Sequence, residues 1–166
     1  MEQNPHEFIF KIDVAIRMQV IAKLEASPEL PLSETVAPPF KGVYVLYWKH
    51  EIVYAGKALD TTLRGRLGEH TRKIARRQNI SLDDMTCRFL TIGSNWLVRA
   101  AEDALITGYK PLWNKSGFGS HVPGIGRPGI RTSRWDREFP PTSLPLAQNN
   151  GILIECDRTF FTPADR

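Results

Sequence analysis

The sequence predicts a small α/β domain of the α+β kind: a mostly antiparallel three-stranded sheet flanked by helices, with an N-terminal helix and a loop-rich C-terminal extension added. Three observations predict it. Two short runs rich in Val, Ile and aromatic residues, at 42–48 and 52–57, are separated only by the polar break Lys49, His50 and Glu51, which is a hairpin pattern. A third such run, 85–92, lies between two stretches of helical periodicity. The 166 residues match the size of one domain and are too few for two ordinary ones.

The elements follow in order. Asn4 can cap a helix, Pro5 suits its first position and Glu7 completes a capping box. Phe8, Ile12, Ile16, Val20 and Leu24 then recur every four residues as an apolar stripe for the core. Pro28, Pro31, Pro38 and Pro39 mark an extended connector that leads to Gly42. In the hairpin, Tyr44 and Tyr54 fall within a residue or two of facing each other. Residues 62–77 read as a basic helix with Leu63, Leu67 and Ile74 as its apolar contacts. After the third strand, Ser94 or Asn95 caps a helix that runs to about Thr107. From 116 to 145, Gly117, Gly119, Gly124, Gly126 and Gly129 alternate with prolines, and no regular structure is expected. The apolar run 151–156 reads as an edge strand or part of a subunit contact. These bounds give a helix and connector at 1–40, a central unit at 41–114 and an extension at 115–166, all in one structural domain.

Composition narrows the function classes. With 42% hydrophobic and 24% charged residues, and no apolar run near the ~20 residues of a membrane span, a membrane role is not expected. The first ten residues lack the pattern of a secretory signal, so a cytoplasmic location is expected. Cys87 and Cys156 lie far apart without metal-ligand spacing and read as ordinary thiols. The net charge is only +4, but its distribution is uneven. Arg64, Arg66, Arg72, Lys73, Arg76 and Arg77 crowd one stretch against Glu69 alone. Lys110, Lys115, Arg127, Arg131, Arg134 and Arg137 form a second, against Asp136. Two basic regions suit a polyanion.

Some polar residues also fall at telling intervals. Arg66 and His70 stand four residues apart and share a helix face, where a guanidinium and an imidazole can approach one phosphate. Glu102 is flanked by Val98 and Ile106, and a carboxylate on an apolar face needs compensation, for which a divalent cation is one form and a Lys or Arg partner another. Asn114 closes the series after Pro111 and Trp113. Taken singly, each is better read as an ordinary packing or surface residue. Jointly they are a pattern.

That pattern resembles the GIY-YIG nucleases. It appears as Gly42-Val43-Tyr44 and Tyr54-Ala55-Gly56, with Val and Ala where the name has isoleucine. It continues through Leu63-Arg64-Gly65-Arg66-Leu67, His70, Glu102 and Lys110-Pro111-Leu112-Trp113-Asn114, covering about residues 41–114. Within that superfamily the chain is most similar to compact type II restriction endonucleases that cut palindromic, GC-rich sites.

The resemblance implies Mg²⁺- or Mn²⁺-dependent hydrolysis of phosphodiester bonds. Tyr44 takes the proton of the attacking water, directly or through His70, and Tyr54 orients water or phosphate. Arg66 lowers the pKa of Tyr44 and contacts the phosphate, and Glu102 is the metal ligand. Asn114 positions Glu102 or the phosphate, and Lys57 fits a phosphate contact as well as a solvated lysine. The implied partner is double-stranded DNA, gripped through its phosphates by Arg72, Lys73 and Arg76. Arg127, Arg131, Ser133, Arg134 and Asp136, with Trp135, are the candidates for reading bases from the Gly/Pro segment, for which a plain linker is the alternative. Two cuts in a palindrome imply a homodimer. Other readings are a monomeric repair or homing enzyme of the same fold, a DNA-binding module without catalysis, or an enzyme directed at RNA.

Overall fold

The computed structural model describes residues 11–33, 36–119 and 132–142. At its centre is the hairpin of β2 (Gly42–Trp48) and β3 (Glu51–Ala58), numbered after a short strand β1 (Leu30–Pro31). Lys49 and His50 connect the two, with φ of 51° and 67°. Positive φ at both central residues is what a tight type I′ turn requires, and its twist matches that of the flanking strands. The break is one residue shorter than predicted, because Glu51 already pairs with Trp48.

β4 (Met85–Thr91) lies antiparallel on the other side of β2, and β1 pairs with the outer side of β4. The sheet therefore has four strands, in the order β1-β4-β2-β3, where three were predicted. The additional strand comes from the Pro-rich connector and is two residues long, so no alternation marks it in the sequence. One consequence matters for the site: among the described residues β3 is an edge strand.

Alternation along the strands sends side chains to two faces. Tyr44, Leu46, Tyr54 and Ala58 meet α2 (Leu63–Ile74) through Leu63, Leu67 and Ile74. On the opposite face, Val43, Val45 and Ala55 meet α3 (Asn95–Tyr109) through Val98, Ala101 and Leu105, with Leu24 of α1 (Ile12–Glu25) in the same cluster. Thr62 caps α2, its hydroxyl accepting from Gly65 N at 3.1 Å. Of the two candidate caps for α3 it is Ser94 that accepts, from Leu97 N at 3.5 Å. The stripe of α1 is buried mainly at its end: Leu24 is 0% exposed and Ile12 50%. The capping box at Asn4–Glu7 and Phe8 lie outside the described residues.

The extension departs most from expectation. A 3₁₀ turn, Leu112–Lys115, leads into it and a short helix α4 (Arg134–Glu138) forms within it. Trp113, Phe118, Trp135 and Phe139 are buried and join the cluster that holds Tyr44 and Leu46. Isolated aromatic residues bury large areas whatever the periodicity around them, and Phe118, Trp135 and Phe139 anchor this segment against Trp113 despite its glycines and prolines. Residues 115–119 and 132–142 thus share the core of the central unit. Among the described residues no helix is long and apolar enough to cross a membrane. The run 151–156, with Cys156, lies outside them, and Cys87 is buried.

Candidate active site

In the hairpin register Tyr44 stands opposite Gly56 and Leu46 opposite Tyr54, so the two tyrosines are diagonal neighbours on one face, their ring centroids 6.2 Å apart. Gly56 makes room for them. A Cβ at that position would sit 2.6 Å from the Tyr44 hydroxyl and 2.8 Å from Tyr54 Cε1. Gly56→Ala must push both phenols aside, and displacement on the ångström scale costs about a hundredfold in rate. Single-turnover cleavage measured beside a melting curve checks this; a folded variant that cuts at the wild-type rate refutes it.

Arg66 and His70, one turn apart on α2, are both buried and converge on the same hydroxyl. Arg66 Nε donates to Tyr44 Oη at 3.3 Å, and Tyr44 Oη lies 2.7 Å from His70 Nε2. Arg66 also donates through Nη1 to Glu69 at 2.7 Å. Burial pushes the Tyr44 phenol well above its ordinary value; Tyr54 and Glu102 push the same way, and Arg66 opposes them. Tyr54 is raised too, again chiefly by burial. Arg66 lowers the Tyr44 phenol as expected, but desolvation outweighs the guanidinium, and the phenol is neutral. A neutral buried hydroxyl has one hydrogen to place, and His70 Nε2, at bonding distance, accepts it in the tautomer that carries the ring proton on Nδ1.

Glu102 arrives from the other layer. α3 covers the face of the sheet opposite α2, yet the carboxylate forms an ion pair with Lys57 of the edge strand. There it borders the same cleft as Tyr54 and Arg66, a space of about 150 Å³ that Leu59, Asp60 and Thr61 also line. The strand edge is thus what lets residues from both layers meet. The compensation for Glu102 is an ammonium in this structure, and its side chain remains 19% exposed. Among the described residues no group of three His, Cys, Asp or Glu is disposed to cage a cation. A hard cation that keeps most of its water and takes one carboxylate fits these donors. Asp60 at the cleft escaped the sequence reading, because nothing in its spacing set it apart.

Asn114 does not reach Glu102 or the cleft as expected. Its amide is engaged by β3: Oδ1 accepts from Ala55 N at 2.9 Å and Nδ2 donates to Ala55 O at 2.7 Å. It holds the backbone of the residue between Tyr54 and Gly56.

Residues 53–144, more than half of the chain, match the family described as the Eco29kI GIY-YIG domain. The chain belongs to this family. GIY-YIG domains are metal-dependent endonucleases, and the chain is an enzyme of that class. Among solved structures, the magnesium-bound GIY-YIG N-terminal endonuclease domain of UvrC from Thermotoga maritima is 22% identical over 60% of this chain and 96% of that one, with a TM-score of 0.36. A point mutant of the same domain bound to its catalytic divalent cation gives 22% identity, 60% and 94% coverage and a TM-score of 0.36. No curated protein matches the chain.

Around the GIY-YIG core, the candidate DNA contacts separate into exposed and engaged groups. Arg72, Arg76 and Arg134 are exposed. Lys73 is not a surface lysine: its ammonium lies 4.9 Å from the Phe118 ring centroid and 4.8 Å from that of Trp135, and it donates to the Phe118 carbonyl. Burial lowers its pKa to about 8. Ser133 and Asp136 cap α4: Ser133 Oγ accepts from Asp136 N at 3.0 Å and donates to its carboxylate at 2.7 Å. The same carboxylate pairs with Arg77 at 2.9 Å. Their expected contacts with bases are corrected accordingly, since the hydroxyl and the carboxylate hold the segment together. Trp135, fully buried, is a core residue. Arg127 and Arg131 lie outside the described residues.

Proposed function

We propose that the chain is a type II restriction endonuclease, acting in the cytoplasm as a homodimer on a palindromic, GC-rich site in double-stranded DNA. The carrying observation is the convergence of Tyr44, Tyr54, Arg66, His70 and Glu102 about one edge-strand cleft. Membership of the family named for Eco29kI and the two basic stretches of the sequence support the same reading.

Arg66 binds the scissile phosphate, while Tyr54, on the wall of the cleft, orients the attacking water. The water's proton passes to the Tyr44 oxygen as the phenol's own hydrogen passes to His70 Nε2, so no free phenolate has to form. Glu102 holds Mg²⁺ or Mn²⁺, which when bound neutralises charge on the phosphate and the departing 3′ oxygen. Lys57 contacts an adjacent phosphate once its partner carboxylate is so occupied. Asn114 keeps Tyr54 and Gly56 in register through Ala55. Arg72, Arg76 and Arg134 meet the backbone, and Arg127 and Arg131 read guanines.

Digestion of a sequenced plasmid in Mg²⁺, with end mapping, tests this together with sedimentation on a palindromic duplex. The expected result is double-strand cuts at one short palindrome and a dimer on the duplex. Nicks made by a monomer would instead indicate a repair or homing enzyme, and the absence of any cleavage a binding module.

A further inference from the structure

Phe118 is 1% exposed and stands where the site meets the extension. Its ring lies nearly parallel to the His70 imidazole, with centroids 4.8 Å apart and planes at 15°. It also meets Tyr54 edge-on at 4.9 Å and 71°. Behind it lie Trp113 and Trp135, each 5.0 Å away.

The backbone that carries the ring is locked as well. Phe118 N donates to Ser116 Oγ at 3.4 Å, Trp135 N donates to Ser116 O at 3.0 Å, and Lys73 holds the Phe118 carbonyl. Gly117 has a φ of 99°, and a Cβ there would lie 2.5 Å from Ser133 Cβ. A Cβ at Gly119 would lie 2.5 Å from the Tyr54 hydroxyl. Segment 116–119 is thus wedged between the tyrosine and α4.

A flat ring against a flat ring holds the imidazole in one plane, because turning it out of that plane drives its edge into the phenyl group. In that orientation Nε2 faces Tyr44 Oη at 2.7 Å. Phe118 and Trp135 belong to the two segments, 116–119 and 132–142, that flank residues 120–131 with Arg127 and Arg131.

We infer that Phe118 is a positioning residue for the hydrolysis: it acts through His70, holding the imidazole where it takes the Tyr44 proton, and ties that placement to the segments flanking the DNA-reading stretch. This rests on the proton-accepting role of His70 proposed above.

The test uses the full chain with Phe118→Leu and Phe118→Met, each alone and combined with His70→Ala. Single-turnover cleavage in Mg²⁺, duplex affinity and melting are read for all. Each Phe118 variant is expected to slow cleavage about a hundredfold with duplex affinity held within about twofold, and to add nothing in the His70→Ala background. Additive losses in the double variants would assign Phe118 to packing alone and overturn the inference. A His70→Ala variant that cuts at full rate defeats the His70 role itself. A slow His70→Ala beside a fast Phe118→Leu removes only the Phe118 claim. Should neither Phe118 variant fold, the wild-type His70 ring protons decide by NMR: the stacked phenyl shifts them upfield, and unshifted protons contradict it.

Discussion

Glu102→Gln is expected to abolish cleavage in Mg²⁺ and to leave duplex binding intact. The substitution keeps the shape of the side chain and removes its charge at the cleft that Tyr54, Lys57 and Arg66 share. The cost follows from electrostatics. Charge stabilisation by a bound divalent ion amounts to several kcal/mol of the barrier, and each 1.36 kcal/mol is a factor of ten, so a loss of about a thousandfold or more is expected. Lys57 loses its anionic partner and keeps its charge, so affinity for the duplex is expected to hold or rise slightly. Gel-shift titration and single-turnover cleavage on the same preparation are the measurements, and a variant that cuts normally would remove Glu102 from the chemistry.

Tyr44→Phe has the second large effect. One hydroxyl serves both Arg66 Nε and His70 Nε2, so its removal deletes the proposed proton path and one hydrogen bond to each of two buried side chains. Loss of a positioned acid–base group slows a reaction by about 10²- to 10⁴-fold, and each lost hydrogen bond costs about 0.5–1.5 kcal/mol of stability. A rate within a factor of about three of wild type would contradict the relay. The same residue sets a pH signature. Burial raises the folded-state pKa of Tyr44 above the ordinary value of 10.0, so below that value the group does not disfavour folding. As the pH climbs past it, the unfolded chain releases a proton the folded one retains, and stability falls. Ultraviolet difference titration of wild type against Tyr44→Phe should show no phenolate from this residue until the pH exceeds 10.

Much of the site was legible because its pieces obey local periods. The pairing of Tyr44 with Tyr54 follows from a period of two across a short turn, and that of Arg66 with His70 from one turn of helix. Ser94, one of two candidates, announced its helix by the chemistry of caps. What the sequence left dark depends on distant partners. Glu102 joins residues of the opposite layer only because β3 is the outermost strand, which depends on strand order. Asp136 and Ser133 looked like base readers until Arg77, far away in the sequence, was found beside the carboxylate. Asn114 was recognised as important on the strength of the family likeness, but the bond to Ala55 that explains it has no local signature. Desolvation was likewise invisible, and it outweighs the lowering effect of Arg66 on Tyr44.

The amide of Asn114 has a consequence beyond catalysis. An exposed outer strand offers unpaired N–H and C=O groups on which another polypeptide can align and spread into fibrillar association. By taking both backbone groups of Ala55, a single side chain closes that rung of the ladder to any incoming chain.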